Sequence, residues 1–469
     1  MFNKIDFKPV IEGLEQRVVP AVKLVDLKSG ILTINCDDAA TQVRVKQIGI
    51  NYVVEEVGTN KTWSHKAVTQ VQFNGGKGND TFVNASPLPV KAFGNDGNDY
   101  LQGGPGNDQF FGGSGTDVLV GGAGDDNLSG GLGNDRIDGG LGNDAIVLID
   151  QAFNNDTATG GPGSDAFWID FRSGKKDFIA DLGKEDAEHL VDKFTNGADL
   201  TFDGDRIVDP TPESGATAGI SGTAGTFSYS RFDNRPLFPS KGPQVDDIRQ
   251  GALGDCYFLA GISAIAKDNK AVLQLNMVDF GDGTYGVRYL NNFYRVDNDL
   301  VVTSNGDMAF SKFGSEGSIW VSIAEKAFVY HRNGVNATYS YKFIEGGNPI
   351  EVNRAFRAVS LDYMGLGSSV TASALTNFLV SALDDKKAVT MGFGGDEVKK
   401  IVGSHAYTVI SYNKDRNGNV VSFVLRNPWG VDGGTPDSNP NDPNDGYVTI
   451  TASDMLKISN SEVRVGKWW

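Results

Sequence analysis

Residues 103–111 read Gly-Gly-Pro-Gly-Asn-Asp-Gln-Phe-Phe, and residues 130–138 read Gly-Gly-Leu-Gly-Asn-Asp-Arg-Ile-Asp. They are two of the six unbroken nine-residue units that fill residues 94–147, and separated units start at Gly75 and Gly160. The glycines of each unit permit the positive φ angles that tight turns require. The eighth position of each unit is large and apolar. A flexible linker would not keep these positions in phase, so the period predicts stacked turns joined by short strands around a narrow core.

The sixth position of each of these units is aspartate. The eight residues are Asp80, Asp99, Asp108, Asp117, Asp126, Asp135, Asp144 and Asp165. Stacked turns would align these carboxylates with backbone carbonyls in rows, which are oxygen-rich environments that suit Ca²⁺. The pattern resembles the RTX nonapeptide family of calcium-binding repeats, and the resemblance implies a parallel β-roll with Ca²⁺ as cofactor. Because carboxylates without a cation would repel one another, we expect calcium binding and folding to be coupled.

The segments around the repeats differ in pattern. Residues 25–73 alternate apolar and polar positions, which predicts short β-strands before a roll over residues 74–185. Residues 1–24 resemble the N-terminal segment of some exported bacterial proteins. Residues 186–228 are predicted to be a connector, and residues 229–469 have the composition of an ordinary mixed domain.

The C-terminal half contains Gln250-Gly-Ala-Leu-Gly-Asp-Cys256-Tyr-Phe-Leu-Ala. After the cysteine, Leu259, Ile262 and Ala266 fall on one helical face, so a helix is predicted to begin near Cys256. The dipole and free N–H groups of a helix start stabilise a thiolate, the nucleophilic form of cysteine. Cys36, at the end of a predicted strand, lacks this context and is interpreted as a structural residue.

A cysteine nucleophile needs a base, and the chain has four histidines. His405 begins an apolar, strand-like run, and a second such run, residues 420–425, leads to Asn427 and Trp429. Two adjacent strands would place His405 beside Asn427, so that the amide orients the imidazole.

These three motifs resemble the calpain family of papain-like cysteine proteases over residues 240–469. The resemblance implies an α+β domain with a Cys lobe over about residues 229–345 and a His/Asn lobe over about residues 346–469. The implied roles follow the matching positions. Cys256 would be the nucleophile, His405 the base, Asn427 the orienting residue, Gln250 a donor to the oxyanion, and Trp429 the indole packed over the triad.

The same resemblance bears on calcium in the protease core. Asp247 and Glu325 match two acidic ligand positions of the first core calcium site of the family. Val245 stands where the family has an arginine that locks the calcium-bound state. We therefore assign calcium binding to the repeats rather than to the protease core.

The composition of the chain argues against several classes of protein. A net charge of −17 argues against nucleic-acid binding, two cysteines exclude a disulfide scaffold, and no apolar run is long enough for a transmembrane span. We expect an exported cysteine endopeptidase that acts on proteins or peptides, located outside the cell or at its surface. The alternatives are a catalytically inactive surface or adhesion protein with calcium-stabilised repeats, and a protease that acts mainly on its own chain.

Overall fold

The computed structural model describes residues 22–150, 154–171, 176–200, 207–213, 227–233, 235–334, 339–395, 401–432 and 445–468. Most of the predicted export segment, residues 1–24, lies outside these residues. Among the described residues, no helix is long and apolar enough to cross a membrane.

The described part of the N-terminal half contains eighteen short strands. They are β1 (Val22–Lys28), β2 (Ile31–Cys36), β3 (Gln42–Ile48), β4 (Asn51–Glu56), β5 (Thr62–His65), β6 (Gln70–Gly76), β7 (Thr81–Ala85), β8 (Val90–Asp96), β9 (Tyr100–Gln102), β10 (Gln109–Ser114), β11 (Val118–Ala123), β12 (Asn127–Leu132), β13 (Arg136–Leu141), β14 (Ala145–Leu148), β15 (Thr157–Thr159), β16 (Ala166–Asp170), β17 (Phe178–Ile179) and β18 (Ala187–Val191). From β6 onward, consecutive strands alternate between two sheets of nine strands each. From β6 onward, neighbours within each sheet are parallel, as in β8, β10 and β12. The predicted parallel β-roll is confirmed.

The apolar eighth position of each repeat fills the space between the two sheets. These residues are at most 1% exposed: Phe82, Leu101, Phe110, Leu119, Leu128, Ile137, Ile146 and Phe167. Burial of each such side chain stabilises the fold by about 1.5–3 kcal/mol. The turns need glycine, because a Cβ on Gly133, where φ is +140°, would lie 1.5 Å from the carbonyl oxygen of Gly115.

The strands before the repeats belong to the same sheets. β2 pairs in parallel with β6, and β3 pairs in parallel with β7, while β1, β4 and β5 extend the edges in antiparallel fashion. At the other end, β18 continues to Val191, beyond the predicted limit of the roll at residue 185. The described strands between residues 22 and 191 therefore share two sheets, and neither sheet is interrupted at the boundary near residue 73 that the sequence suggested.

The C-terminal domain mixes helices and strands. Its elements are β19 (Ser228–Arg231), α1 (Cys256–Asp268), α2 (Lys270–Leu275), β20 (Met277–Asp279), β21 (Thr284–Tyr289), β22 (Asn292–Asp297), β23 (Asp299–Val302), α3 (Trp320–Asn333), α4 (Pro349–Ala355), β24 (Ser360–Gly365), α5 (Ala372–Asp384), β25 (Ala388–Phe393), β26 (His405–Lys414), β27 (Val420–Arg426), β28 (Tyr447–Ile450), α6 (Ala452–Met455) and β29 (Glu462–Lys467). Short 3-10 helices span Val245–Asp247, Ser315–Gly317 and Tyr341–Ile344. One buried cluster surrounds α1 and α3, and a second packs α5 against the sheet ordered β24-β29-β25-β26-β27-β28.

The roll and the C-terminal domain share a buried apolar interface. Trp168 on β16 and Val191 on β18 pack with Val278, Phe280 and Phe293 of the C-terminal domain. The Trp168 ring lies edge-on to both phenylalanines, with centroid separations of 6.2 and 5.7 Å. The two halves therefore form one packed molecule.

Candidate functional site

Cys256 is the first residue of α1, as the sequence predicted, and residues 257–266 of this helix are buried. Backbone N–H groups of the first turn, at Cys256 and Tyr257, point to the thiol and favour its anionic form. Thr408 on β26 donates its hydroxyl to the carbonyl of Ala260 at 2.9 Å. This bond ties the helix of the cysteine to the strand that begins with His405.

His405 and Asn427 lie side by side at adjoining ends of β26 and β27. The distance from His405 Nε2 to Asn427 Oδ1 is 2.9 Å, and Asn427 is fully buried. Trp429 donates its backbone N–H to the same Oδ1 at 3.0 Å, and Asn427 Nδ2 donates to the carbonyl of Asp432 at 3.2 Å. These bonds define the amide orientation, so Nε2 of His405 carries the proton and Nδ1 is its basic nitrogen.

The Trp429 ring covers the imidazole. Its centroid lies 4.5 Å from that of His405, with an interplanar angle of 44°. The sequence predicted this packing from the Asn-Pro-Trp-Gly motif. The indole shields the hydrogen bond between His405 and Asn427 from water.

The cysteine lies against the backbone of the residue after His405. The Cys256 thiol accepts a hydrogen bond from the N–H of Ala406, and this bond lowers its pKa, but burial has the larger effect and raises the pKa to about 11. Burial likewise lowers the pKa of His405 to about 4, against a smaller opposing effect of the Asn427 hydrogen bond. Both shifts favour the uncharged pair, a thiol and a neutral imidazole, over a thiolate and an imidazolium.

Gln250, the predicted oxyanion donor, uses both amide hydrogens within the protein. Its Nε2 donates to the carbonyl of Leu253 at 2.6 Å and lies 3.3 Å from Asp255 Oδ1. Its Oε1 is buried and has no partner among the described residues. One of the two N–H groups must leave its present acceptor before Gln250 can donate to an oxyanion.

Asp247 and Glu325, the two acidic residues matched to a core calcium site, each accept hydrogen bonds from groups of the protein. The Asp247 carboxylate accepts N–H groups of Gln244, Ser315 and Trp320, each at 2.8 Å. Glu325 instead accepts the hydroxyl of Ser311 and is hydrogen-bonded to Asp255. The assignment of Asp247 and Glu325 as core calcium ligands stays a prediction.

The eight repeat aspartates form two rows, one along each side of the roll. In each row, the Oδ1 of one aspartate accepts the backbone N–H of the aspartate that precedes it, at 2.7–2.9 Å. One row contains Asp80, Asp99, Asp117 and Asp135, and the other contains Asp108, Asp126, Asp144 and Asp165.

Three further carboxylates extend these rows. Asp156 and Asp177 continue the first row and Asp186 continues the second, through N–H to Oδ1 bonds of 2.7–3.0 Å. The sequence reasoning missed them because the spacing changes from 18 to 21 residues at this point. The Asn155-Asp156 pair, which repeats the fifth and sixth positions of the units, could have identified the first of them.

In seven of the eight repeat aspartates the second oxygen is left for a cation, whereas Asp108 Oδ2 accepts the N–H of Gly104 at 3.0 Å. Oδ2 is buried without a hydrogen-bond partner, among the described residues, in Asp80, Asp99, Asp117, Asp126, Asp135, Asp144 and Asp165. A Cβ built on Gly94 would lie 2.2 Å from Asp99 Oδ2 and 2.5 Å from the carbonyl oxygen of Gly112. Carboxylate and carbonyl oxygens thus face a common space beside each glycine, which fits a Ca²⁺ site.

Burial raises the pKa of these carboxyls in the absence of a cation. The pKa of Asp117 is raised to about 7 and that of Asp144 to about 8, chiefly by burial and further by neighbouring aspartates. A bound divalent cation would supply the positive charge that lets such carboxyls ionise. The carboxylate and carbonyl oxygens beside each glycine, and the lack of hydrogen-bond partners for Oδ2 among the described residues, therefore support calcium binding by the repeats.

A mixed domain that holds a cysteine at a helix start beside a buried histidine–asparagine pair has the architecture of a cysteine peptidase. The family model described as calpain family cysteine protease matches residues 228–469, and that of the RTX calcium-binding nonapeptide repeat matches residues 92–119 and 111–146. The chain belongs to the calpain family of cysteine proteases and carries RTX calcium-binding repeats.

Curated relatives agree with this assignment. The calpain-1 catalytic subunit of Bos taurus is 28% identical over 244 residues, which cover 47% of this chain and 31% of that protein. Calpain-9 of Mus musculus is 24% identical over 259 residues, which cover 50% of this chain and 35% of the relative. The chain spans about a third of the length of these relatives.

Proposed function

We propose that this chain is an exported cysteine endopeptidase that hydrolyses peptide bonds in proteins, with Cys256, His405 and Asn427 as its triad. The observation that carries the proposal is the buried 2.9 Å contact between His405 Nε2 and Asn427 Oδ1, beside a thiol at the start of α1. Membership of the calpain family supports the same chemistry.

In the proposed reaction, Nδ1 of His405 takes the thiol proton as Cys256 Sγ bonds to the carbonyl carbon of the substrate. The oxyanion that forms is stabilised by the N–H of Cys256 and by the Gln250 amide. The C–N bond then breaks, and His405 gives its proton to the leaving amine. Water, deprotonated by His405, hydrolyses the thioester, which releases the acid product and restores the thiol.

Export is supported by the repeats, since RTX repeats are typical of secreted bacterial proteins. A roll whose carboxylates need Ca²⁺ would fold poorly where calcium is scarce and well outside the cell. This argument favours an extracellular or cell-surface protease.

A direct test is the cleavage of an unstructured protein substrate by the full chain with and without Ca²⁺. We expect the wild type to cleave and the Cys256→Ala variant to be inactive at the same concentration. Equal activity of the two proteins would overturn the proposal. If both are inactive with Ca²⁺ present, and a thiol-reactive probe also fails to label Cys256, the alternative of an inactive surface or adhesion protein is favoured instead. Mass analysis of the purified wild type and Cys256→Ala chains would show any cleavage of the protein by itself.

A further inference from the structure

The Arg426 side chain joins the two lobes of the protease domain beside the triad. Arg426 ends β27, whose Leu425 packs in the buried cluster of the His/Asn lobe, and 3% of the Arg426 side chain is exposed. Its Nε lies 3.3 Å from Asp246 Oδ1, and its Nη2 donates to the carbonyl of Ile248 at 3.2 Å. Ile248 packs in the other buried cluster, around α1 and α3. One guanidinium therefore bonds two groups of the Cys lobe.

The same guanidinium also bonds the backbone of the triad asparagine. Arg426 Nη1 donates to the carbonyl of Asn427. The following residue makes a further bond between the lobes, because the N–H of Gln250 donates to the carbonyl of Pro428 at 2.8 Å. The guanidinium thus joins the segment that leads to the proposed oxyanion donor with the segment that carries the proposed orienting residue.

Tyr447 on β28 supports this contact from the side of the His/Asn lobe. Its hydroxyl donates to Asp246 Oδ1 at 2.7 Å, and its ring centroid lies 5.2 Å from Arg426 Cζ. A buried guanidinium requires such partners, because an unpaired charge is costly away from water. The five N–H donors of arginine lie in one rigid plane, so the bonds to Asp246, Ile248 and Asn427 fix one segment against the other.

The bond between Thr408 and Ala260 joins the lobes at a different place, between β26 and α1. It supports the cysteine helix and the histidine strand. Asn427 lies beyond the end of β27, and Gln250 lies before the start of α1. These two residues therefore depend on contacts between the segments that flank the regular elements, and Arg426 supplies them.

We propose that Arg426 and Asp246 are positioning residues that hold Asn427 and Gln250 in one geometry across the junction of the two lobes. The inference rests on the proposed function, because it concerns the orienting residue and the oxyanion donor of that reaction. A displacement of about 1 Å in a catalytic arrangement can lower a rate about a hundredfold. The Asp246 side chain is 65% exposed, so its replacement should act on the junction and leave the fold intact.

The first test measures kcat, KM and urea unfolding of the full chain with saturating Ca²⁺. Asp246→Ala should lower kcat about tenfold with KM nearly unchanged, because the two positioned side chains act on the reacting groups. The urea midpoint should stay close to that of the wild type, and Asp246→Glu, which keeps the charge, should recover part of kcat. Asp233→Ala is the matched control, because it removes an exposed carboxylate that pairs with Arg231 at 2.7 Å within one lobe, and it should leave kcat unchanged.

Hydrogen exchange provides a readout that does not depend on activity. The N–H of Gln250 is bonded across the junction to Pro428, so it should exchange faster in Asp246→Ala than in the wild type. The N–H of Ala252 is bonded to the carbonyl of Ala309 at 2.8 Å within the Cys lobe, and its exchange should not change.

Arg426→Lys keeps the charge and loses the planar fork, so it should lower kcat at least as far as Asp246→Ala, and the double variant should lose no more. Unchanged kcat and Gln250 exchange in Asp246→Ala, or losses that multiply in the double variant, would overturn the proposal. If Arg426→Lys does not fold, the Asp246 variants decide the point. If wild type and Cys256→Ala are equally inactive while Gln250 exchange still rises in Asp246→Ala, the proposed function fails and the junction contact stands.

Discussion

At the scale of single residues, Asn427 combines three contacts in one buried amide. Its Oδ1 accepts from Trp429 N and meets His405 Nε2, while its Nδ2 donates to the carbonyl of Asp432. Two of the bonds fix Oδ1 and the third fixes Nδ2, and together they set the tautomer of the imidazole. The orientation of the proposed base is thus determined by one side chain from the neighbouring strand.

Replacing Asn427 with alanine should lower kcat by about tenfold or more, because the imidazole loses its orienting partner. The variant should also lose about 1–3 kcal/mol of stability, since it leaves buried groups unpaired. Steady-state kinetics and urea unfolding measure the two effects. Asn413→Ala removes an exposed amide on β26 that donates to Ser422, and this matched control should change neither quantity. Full activity in Asn427→Ala would contradict the proposed role.

At the scale of elements, the two aspartate rows decide how the roll responds to calcium and pH. Each carboxyl uses one oxygen to join successive turns and leaves the other beside a glycine. The rows hold the turns in register, but they also bring like charges together in a buried setting. A neutral state of these rows requires either protons or a divalent cation.

The calcium-free roll should be more stable at pH 5 than at pH 8. Burial raises the folded pKa of Asp80 to about 7 and that of Asp144 to about 8, from an ordinary value of 3.8. A raised folded pKa gives stability that is present below about pH 4 and is lost as pH rises through about 8. Urea unfolding of the metal-free protein at both pH values tests the sign, and saturating Ca²⁺ should restore stability at pH 8. Higher calcium-free stability at pH 8 would contradict the expectation.

Gly121→Ala should weaken calcium binding and destabilise the roll. A Cβ at this position would lie 2.3 Å from Asp126 Oδ2 and 2.6 Å from the carbonyl oxygen of Gly139, the space that the cation would share. Calcium titration followed by circular dichroism should show a higher midpoint than in the wild type. Gly367→Ala, where the added methyl meets no atom within 4 Å, is the control. An unchanged midpoint in Gly121→Ala would contradict the proposed site.

At the scale of the whole molecule, the calcium-binding roll is packed onto the lobe that carries the cysteine. His189 on β18 bonds to the Leu275 carbonyl at 2.5 Å, and Arg288 meets its other ring nitrogen at 2.9 Å. Asn127 also donates to the carbonyl of Asp279 at 2.8 Å. A change in the stability of the roll should therefore change the stability of the protease domain.

In Phe280→Ala, the local stability of the protease domain should no longer depend on calcium. Truncation of this buried ring should lower the free energy of unfolding by about 3–5 kcal/mol. It also removes apolar contacts from the interface between the roll and the protease domain. In the wild type, removal of Ca²⁺ should increase hydrogen exchange in α2 and β20 to β22. In Phe280→Ala this exchange should be high with or without Ca²⁺. Phe423→Ala, in the core of the His/Asn lobe, should destabilise the domain and keep the calcium dependence. A calcium response in Phe280→Ala equal to that of the wild type would contradict the coupling.

The sequence by itself determined the local features that repeat or follow a motif. The nine-residue period predicted the roll, its apolar core and the eight aspartates, because each turn depends on residues close in sequence. The motifs around Cys256, His405 and Asn427 predicted a helix start and two strand ends for the same reason.

Only the tertiary structure decided which distant residues meet. It joined residues 22–65 to the roll and extended the rows to Asp156, Asp177 and Asp186. It also placed His189, assigned from sequence to a connector, in a buried interface. These contacts depend on how sheets and helices pack across long stretches of chain, and neither local propensity nor spacing contains that information.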